Sequence, residues 1–313
     1  MGSIVVVGSS NTDMVVRVPA LPRPGETVLG GTFYTAAGGK GANQAVAAAR
    51  AGGAVTFVAC VGDDAFGVQA VQGFQADGID TTYVFIVPET PSGVALIMVD
   101  GAAENSIAVA SGANALLRPH HVEQAHEAIA GADVLLVQLE TPLETVAAAV
   151  TLAARHDTRV ILNPAPAQAL DEAMLGHVSI LTPNVSETEV LTGLPLDEAA
   201  RLDEAATVLL SKGVGAVLIT LGSEGLYLAA SGLRERLPAF TVKAEDTTGA
   251  GDAFNGALAV ALAEQQPLHE AARFAAAAAA ISVTRRGAQP SAPRRDEIVR
   301  FLEGKGREGE KGG

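Results

Sequence analysis

Moving a negatively charged group requires a place for the charge and a base beside it. The segment Asp246-Thr247-Thr248-Gly249-Ala250-Gly251-Asp252-Ala253-Phe254 offers both. A glycine-flanked turn opens a helical pattern. The first N–H groups of a helix lack intrahelical partners and lie at the positive end of its dipole. Gly249 and Gly251 carry no Cβ, so an anion can touch the backbone of Gly249, Ala250 and Gly251. A phosphoryl group that gains charge during transfer suits such a mouth. Asp252 falls in the first turn. Alone, an aspartate there complements the helix dipole; beside an anion site it can accept the proton of an incoming hydroxyl.

A second glycine-rich helix entry is Gly38-Gly39-Lys40-Gly41-Ala42-Asn43-Gln44-Ala45. Small residues at Gly39, Gly41 and Ala42 let a polar ligand lie against backbone, and Lys40 and Asn43 supply hydrogen bonds. Many glycine loops simply begin helices. There is no GxxxxGK[ST], and no GxGxxG follows a strand, so neither a Walker-type NTPase nor a dinucleotide dehydrogenase is supported. Asn11-Thr12-Asp13 follows the first strand, where a carboxylate can grip two vicinal hydroxyls, or simply make an Asx turn. Glu140 ends another strand. Asn184 and Glu187 follow a third; Asn184 reads as a helix cap, and Glu187 as a group placing Mg²⁺ and its waters. Thr220-Leu221-Gly222-Ser223-Glu224-Gly225 leaves a fourth strand in a sharp turn suited to a nucleotide or to any tight turn.

Short aliphatic runs must position these residues: Ile4–Val7, Thr56–Ala59, Val134–Gln138, Val160–Leu162, Ile180–Thr182 and Val217–Thr220. Each reads as a strand buried on both faces. Helical patterns lie between them at Gly41–Ala51, Val68–Asp77, Pro119–Ala130, Leu143–Arg155 and Asp197–Lys212. The alternation implies an α/β domain, a doubly wound, mostly parallel sheet with helices on both faces. Ligands in such sheets sit beyond the carboxyl ends of the strands. Met14–Val18, Thr27–Tyr34, Val94–Val99 and Ser106–Ala110 read as strands without intervening helices. They predict one small antiparallel β lid, inserted at about 14–35 and 92–111. An apolar two-sided lid would shun water, which favours a homodimer contact there. A long alanine-rich pair, Ala250–Glu264 and Leu268–Val283, closes a single domain over 1–302. Residues 303–313 read as a disordered tail.

Of 313 residues, 48% are hydrophobic and 18% charged, which excludes a disordered chain. The net charge of −14 argues against nucleic acid or an anionic membrane as partner. A single cysteine, Cys60, excludes an internal disulfide and a thiolate zinc cluster. The start has no basic segment before its short apolar run, so no signal peptide is expected. No apolar stretch reaches the roughly 18–20 residues of a membrane span. These features predict a reduced, cytoplasmic protein.

The pattern D-T-x-G-A-G-D at Asp246–Asp252, with Gly38–Asn43, resembles the two signatures of the PfkB carbohydrate kinase family. Gly8–Asp13, Gln138–Glu140, Asn163–Pro166 and Arg285–Ser291 extend the similarity from about Ile4 to Leu302. The resemblance implies transfer of the ATP γ-phosphoryl to the 5-hydroxyl of D-ribose. Another sugar or a nucleoside (fructose, adenosine) and a non-catalytic sugar-binding regulator are the alternatives. It implies Asp252 as base, and Gly249, Ala250 and Gly251 as the anion hole. Asn11, Thr12, Asp13, Gly39, Lys40, Gly41, Ala42, Asn43 and Glu140 would hold the sugar together with Asp252. Asn184, Thr220, Leu221, Gly222, Ser223, Glu224 and Gly225 would contact ATP, with Gly251, Asp252 and Ala276. Glu187 would help place Mg²⁺. A monovalent cation, K⁺, would lie at Asp246, Thr248, Ser282, Arg285, Gly287 and Ser291, several through carbonyls. Ala276 stands where some members carry a histidine, and Thr248 where some carry an aliphatic residue.

Overall fold

Strand β1 (Ser3–Val7) shows why the sheet is central: its residues from Ile4 onward are at most 2% exposed. Alternation sends Ile4 and Val6 into one apolar cluster and Val5 and Val7 into another. A strand covered on both sides belongs in the middle of a three-layer α/β domain. The computed structural model describes residues 2–102, 104–196 and 201–309.

From β1 the chain enters β2 (Asn11–Arg17), and β3 (Thr32–Gly38) returns it to the start of α1 (Lys40–Arg50). Then come β4 (Ala54–Gly62), α2 (Ala65–Ala76) and β5 (Val84–Val87). A second excursion, β6 (Gly93–Val99) and β7 (Asn105–Ala110), leads through a 3₁₀ turn at Gly112–Leu116 to α3 (Pro119–Gln124) and α4 (His126–Ala130). The alternation resumes with β8 (Val134–Val137), α5 (Leu143–Arg155), β9 (Arg159–Leu162), α6 (Glu172–Leu175) and β10 (Ile180–Leu181). It continues through α7 (Val185–Thr192), α8 (Arg201–Ser211) and β11 (Ala216–Thr220) to the hairpin β12 (Leu226–Ala230) and β13 (Leu233–Leu237). Helices α9 (Ala250–Ala263), α10 (Leu268–Ser282) and α11 (Arg295–Gly309) end the described chain.

The main sheet is nine-stranded, in the order β13-β12-β11-β10-β9-β8-β1-β4-β5. From β11 to β5 every pair is parallel; β12 and β13 run antiparallel at one edge. Helices α1, α9 and α10 cover one face and α5 and α8 the other. On the first face, α1 and α9 nearly touch. A Cβ on Gly256 would lie 2.7 Å from both the Ala47 Cβ and the Ala48 N, so only small residues allow this approach. It brings the starts of the two helices, and hence both glycine-rich motifs, side by side.

The lid is a four-stranded sheet in the order β3-β2-β6-β7. Its two hairpins are antiparallel, as the sequence suggests, and they join through a parallel β2–β6 pair. The strand expected at Thr27–Tyr34 lies further along, at Thr32–Gly38. The cause is register: β2 spans Asn11–Arg17, Arg17 pairs with Thr32, and residues 27–31 have no strand to pair with. The helix expected at Pro119–Ala130 is divided at Ala125, which adopts φ −90° and ψ 12°; nothing in its residue type marks the break. Residues 197–200 of the helix expected at Asp197–Lys212 lie outside the described residues. The tail expected to be disordered from Glu303 instead continues α11 to Gly309. Ile298 is fully buried, and a helix anchored there extends at little cost per residue. Residues 310–313 lie outside the described residues.

Candidate active site

Helix α9 begins at Gly249, whose φ of 74° is left-handed. A Cβ there would also meet the Ala288 Cβ at 2.8 Å, so glycine is required twice over. Among the described residues, the N–H groups of Gly249, Gly251 and Asp252 have no acceptor. The Ala250 N–H donates to the Thr247 carbonyl at 3.2 Å. The anion mouth expected at Gly249, Ala250 and Gly251 is therefore offered by Gly249, Gly251 and Asp252. In front of Gly251 a Cβ would meet nothing within 4 Å, so the mouth is open.

Asp252 is buried behind it. The Asn43 Nδ2 donates to its Oδ2 at 2.9 Å and the Gln44 Nε2 to its Oδ1 at 3.0 Å. Burial raises its pKa; the Lys40 ammonium and these two amides oppose the rise, and Glu140 adds to it. The result is a carboxylate fixed in place yet more basic than usual. The Asn43 Oδ1 is buried without a donor, a position a ligand hydroxyl can fill.

Across the crevice, β2 carries Asp13. Burial, with Glu140 and Asp252 adding to it and Lys40 opposing, brings its carboxyl up to about 6. The Asn11 Oδ1 accepts from the Asn114 Nδ2 at 2.7 Å, which fixes the first residue of the strand. The Glu140 Oε2 accepts from the Ser9 Oγ at 2.6 Å and from the Lys40 N–H at 2.9 Å. This pins the start of α1, with Gly39, Gly41 and Ala42, to the end of β8. Thr12 departs from expectation. Strand alternation turns its side chain to the face opposite Asp13, so it does not join the sugar-holding set.

The expected nucleotide residues lie at the carboxyl ends of β10 and β11. Asn184 caps α7, accepting from the Glu187 N–H, while the Glu187 Oε2 accepts from the Asn184 N–H, both at 2.8 Å. Burial raises the Glu187 pKa against the Asn184 N–H and Lys40. A single β-bridge ties Asn184 to Thr220. The turn closes through the Leu221 N–H to the Gly225 carbonyl at 2.8 Å and presents Gly222 and Ser223 to solvent. Glu224 is occupied by an ion pair with Arg236. Ala276 lies half-buried on α10.

The expected cation residues form two linked turns. The Asp246 Oδ1 accepts from the Thr248 N–H at 2.9 Å, and its Oδ2 from the Gly287 N–H at 2.9 Å. Burial pushes the Asp246 pKa up, but these hydrogen bonds and the Arg17 charge outweigh it and hold the carboxyl below its usual value. The Ser282 and Ser291 hydroxyls donate to the Ala279 and Ala288 carbonyls, and Arg285 pairs with Glu297. The side chains are thus satisfied internally, leaving carbonyl oxygens as the donors for a K⁺-like ion, which fits a hard monovalent cation. Among the described residues, no group of three or more His, Cys, Asp or Glu could hold a metal. A Mg²⁺ held by phosphates, water and one carboxylate such as Glu187 is compatible with that.

Residue types alone did not assign Gln44, Asn163, Thr182 or Asn114 a role. The Gln44 Nε2 also reaches the Asn163 Oδ1 at 3.1 Å, and the Asn163 Nδ2 donates to the Thr182 carbonyl at 3.0 Å. Gln44 and Asn163 do sit inside the recognisable motifs, which was the available signal.

The model of the pfkB family of carbohydrate kinases matches residues 1–295, and the chain belongs to that family. A ribokinase from Haemophilus influenzae is 46% identical over 301 residues, covering 96% of this chain and 98% of that protein. A deoxyribokinase from Salmonella typhimurium is 38% identical over 300 residues, covering 96% and 98%. The structure of an Arabidopsis thaliana ribokinase complexed with ribose and ATP superposes with a TM-score of 0.91 at 34% identity, covering 97% of this chain and 99% of that one.

Proposed function

We propose that the protein transfers the γ-phosphoryl group of ATP to the 5-hydroxyl of D-ribose, giving D-ribose 5-phosphate and ADP. The observation that carries this reading is the pairing of Asp252, raised in pKa and gripped by two amides, with unpaired N–H groups at the same helix mouth. Asp13, Asn43 and Glu140 orient the sugar, and Asn11 supports them. The 5-hydroxyl proton passes to the Asp252 carboxylate as its oxygen bonds to phosphorus. The bond to the ADP oxygen breaks, and the helix mouth offsets the charge on the migrating group. Gly222, Ser223 and Gly225 form the lip for the nucleotide. Mg²⁺ would neutralise phosphate charge, with Glu187 ordering its waters. K⁺ bound by carbonyls of the two turns would stiffen the loop at Asp246–Gly249.

The lid exposes Phe33, Tyr34, Leu96, Ile107 and Val109, each at least 44% accessible, and a second copy covering them is the proposed homodimer. Among the described residues no helix is long and apolar enough to cross a membrane; ATP use and the buried thiol of Cys60 support a cytoplasmic setting.

The deoxyribokinase relative supports 2-deoxy-D-ribose as a second reading. ADP release with ATP and Mg²⁺ is measured across D-ribose, 2-deoxy-D-ribose, D-fructose and adenosine. D-Ribose is expected to give the highest kcat/KM. A higher value for any other acceptor replaces the substrate assignment, and no ADP release from any of them removes the kinase reading.

A further inference from the structure

Behind the lid lies a cavity of about 230 Å³ that borders Asn11 of the sugar-holding set but none of its carboxylates. Three parts of the chain wall it: the lid root on β2 and β3, helix α2, and the loop after α10. Thr12 and Thr35 border it from the lid face opposite Asp13. Asp13, Lys40, Asn43, Glu140 and Asp252 do not line it.

The lining defines the guest. Ser10, Asn11, Thr12, Thr35, Gln69 and Gln289 offer hydroxyls and amides, Phe66 and Phe74 offer ring surface, and no charged side chain borders the space. An ion would lose hydration there without a counter-charge. Gln289 borders the space, and its buried Nε2 has no acceptor among the described residues. The volume lies below the roughly 300–1,000 Å³ of sites for drug-sized molecules. We propose that this cavity is a second ligand site, for an uncharged polyol of about pentose size, whose occupant steadies the lid root against α2.

The two walls lead into the catalytic machinery. Thr12 immediately precedes Asp13. Gln289 shares its loop with Gly287, whose N–H holds Asp246. Its carbonyl accepts from Arg50, which pairs with Asp77 beyond the end of α2. A molecule touching Thr12 and Gln289 therefore spans the strand that carries the sugar-binding carboxylate and the loop that supports the helix mouth.

The test uses xylitol as probe and saturation-transfer NMR on the full chain, with no nucleotide. D-Ribose is kept below its KM so that it does not compete as a pentose for the same site, and the filling variants discriminate the cavity from the crevice even if the sugar reading fails. Gly73 lines the cavity, and a Cβ there meets nothing within 4 Å, so Gly73→Leu is the variant that adds bulk at this wall. Transfer to xylitol is expected in the wild type, lost in Gly73→Leu and at least halved in Gln69→Ala. No transfer in the wild type, or undiminished transfer in the variants, overturns the site. Should Gly73→Leu fail to fold, Gln69→Ala decides alone. Xylitol is also expected to change the D-ribose KM at least twofold in the wild type and not in a filled variant. An unchanged KM, or a change that survives filling, overturns the link to the lid.

Discussion

Asp13→Asn separates the stability of the lid root from its function. The Asp13 carboxyl has its pKa raised from 3.8 to about 6, first by burial and then by Glu140 and Asp252. A shift of about two units corresponds to roughly 3 kcal/mol at most. Above pH 6 the side chain is ionised in both folded and unfolded chains, and the folded one carries the whole penalty. Between about 6 and 3.8 the folded state takes up its proton first, and the penalty fades. Asparagine carries no charge but keeps the shape, and part of the penalty is replaced by the need to pair its amide. The expected gain at pH 8 is about 1–2 kcal/mol, or a few degrees in Tm, shrinking towards zero near pH 4. The same change removes charge-assisted hydrogen bonds to the sugar, worth roughly 1.5–3 kcal/mol. The D-ribose KM should therefore rise about 10–100-fold at pH 8. In the wild type, KM should climb about tenfold as pH drops one unit below the Asp13 pKa, and the variant should stay flat. Thermal melts and sugar titrations from pH 5 to 8 read both effects. A Tm difference that is absent, or constant across that range, refutes the electrostatic reasoning.

Asp252→Asn should lower kcat by roughly 10²–10⁴ with little change in sugar KM, because the amide keeps the shape and loses the base; wild-type turnover would remove the base assignment. Gly249→Ala forces a Cβ to 2.8 Å from that of Ala288 at φ 74°. It should cost about 1–3 kcal/mol in a thermal melt and, by tilting the helix mouth, about 10² in kcat. Ile107→Asp places a charge in the exposed lid face and should convert a dimer to a monomer in light scattering; an unchanged mass would move the interface elsewhere. Replacing K⁺ with tetramethylammonium at constant ionic strength should depress activity several-fold in the ADP-release assay, and no response would discard the cation site.

The parallel sheet was legible because both faces of each inner strand are buried, so runs such as Val134–Val137 and Ile4–Val7 show no polar alternation. Helix α5 matches its pattern at both ends, Leu143 and Arg155, where Pro142 and a change to polar residues bracket it. The lid was harder. Its strands are exposed on part of both faces, so composition could place them but not their register, and β3 shifted towards Gly38. The same ambiguity hid which residues of β2 share a face, and Thr12 was grouped with Asp13 although alternation separates them. Asp252 and its glycines were readable from helix-start chemistry alone. The partners of Asp252 on α1 were not, because they come from more than 200 residues away and depend on the close Gly256–Ala47 contact between helices.

That contact explains how the proposed base stays basic. A lysine or arginine hydrogen-bonded directly to Asp252 would lower its pKa by about 1–3 units and weaken it as a proton acceptor. Neutral amides hold both oxygens instead, and Lys40 acts without a hydrogen bond to the carboxylate. Amides can face either way, so their orientation must be enforced. The Gln138 Nε2 donates to the Gln44 Oε1 at 2.6 Å, which turns the Gln44 Nε2 towards Asp252 and Asn163. From Asn163 the chain of contacts runs to the Thr182 carbonyl. The Thr182 Oγ1 then donates to the Asn255 Oδ1 at 2.6 Å, and the Asn255 Nδ2 to the Gly251 carbonyl at 2.8 Å. The circuit starts at the carboxylate of α9 and ends on the backbone of the same first turn. The proposed base and the helix mouth are thereby oriented by one set of buried hydrogen bonds, so the geometry proposed to receive the proton and that proposed to receive the phosphoryl charge cannot drift apart independently.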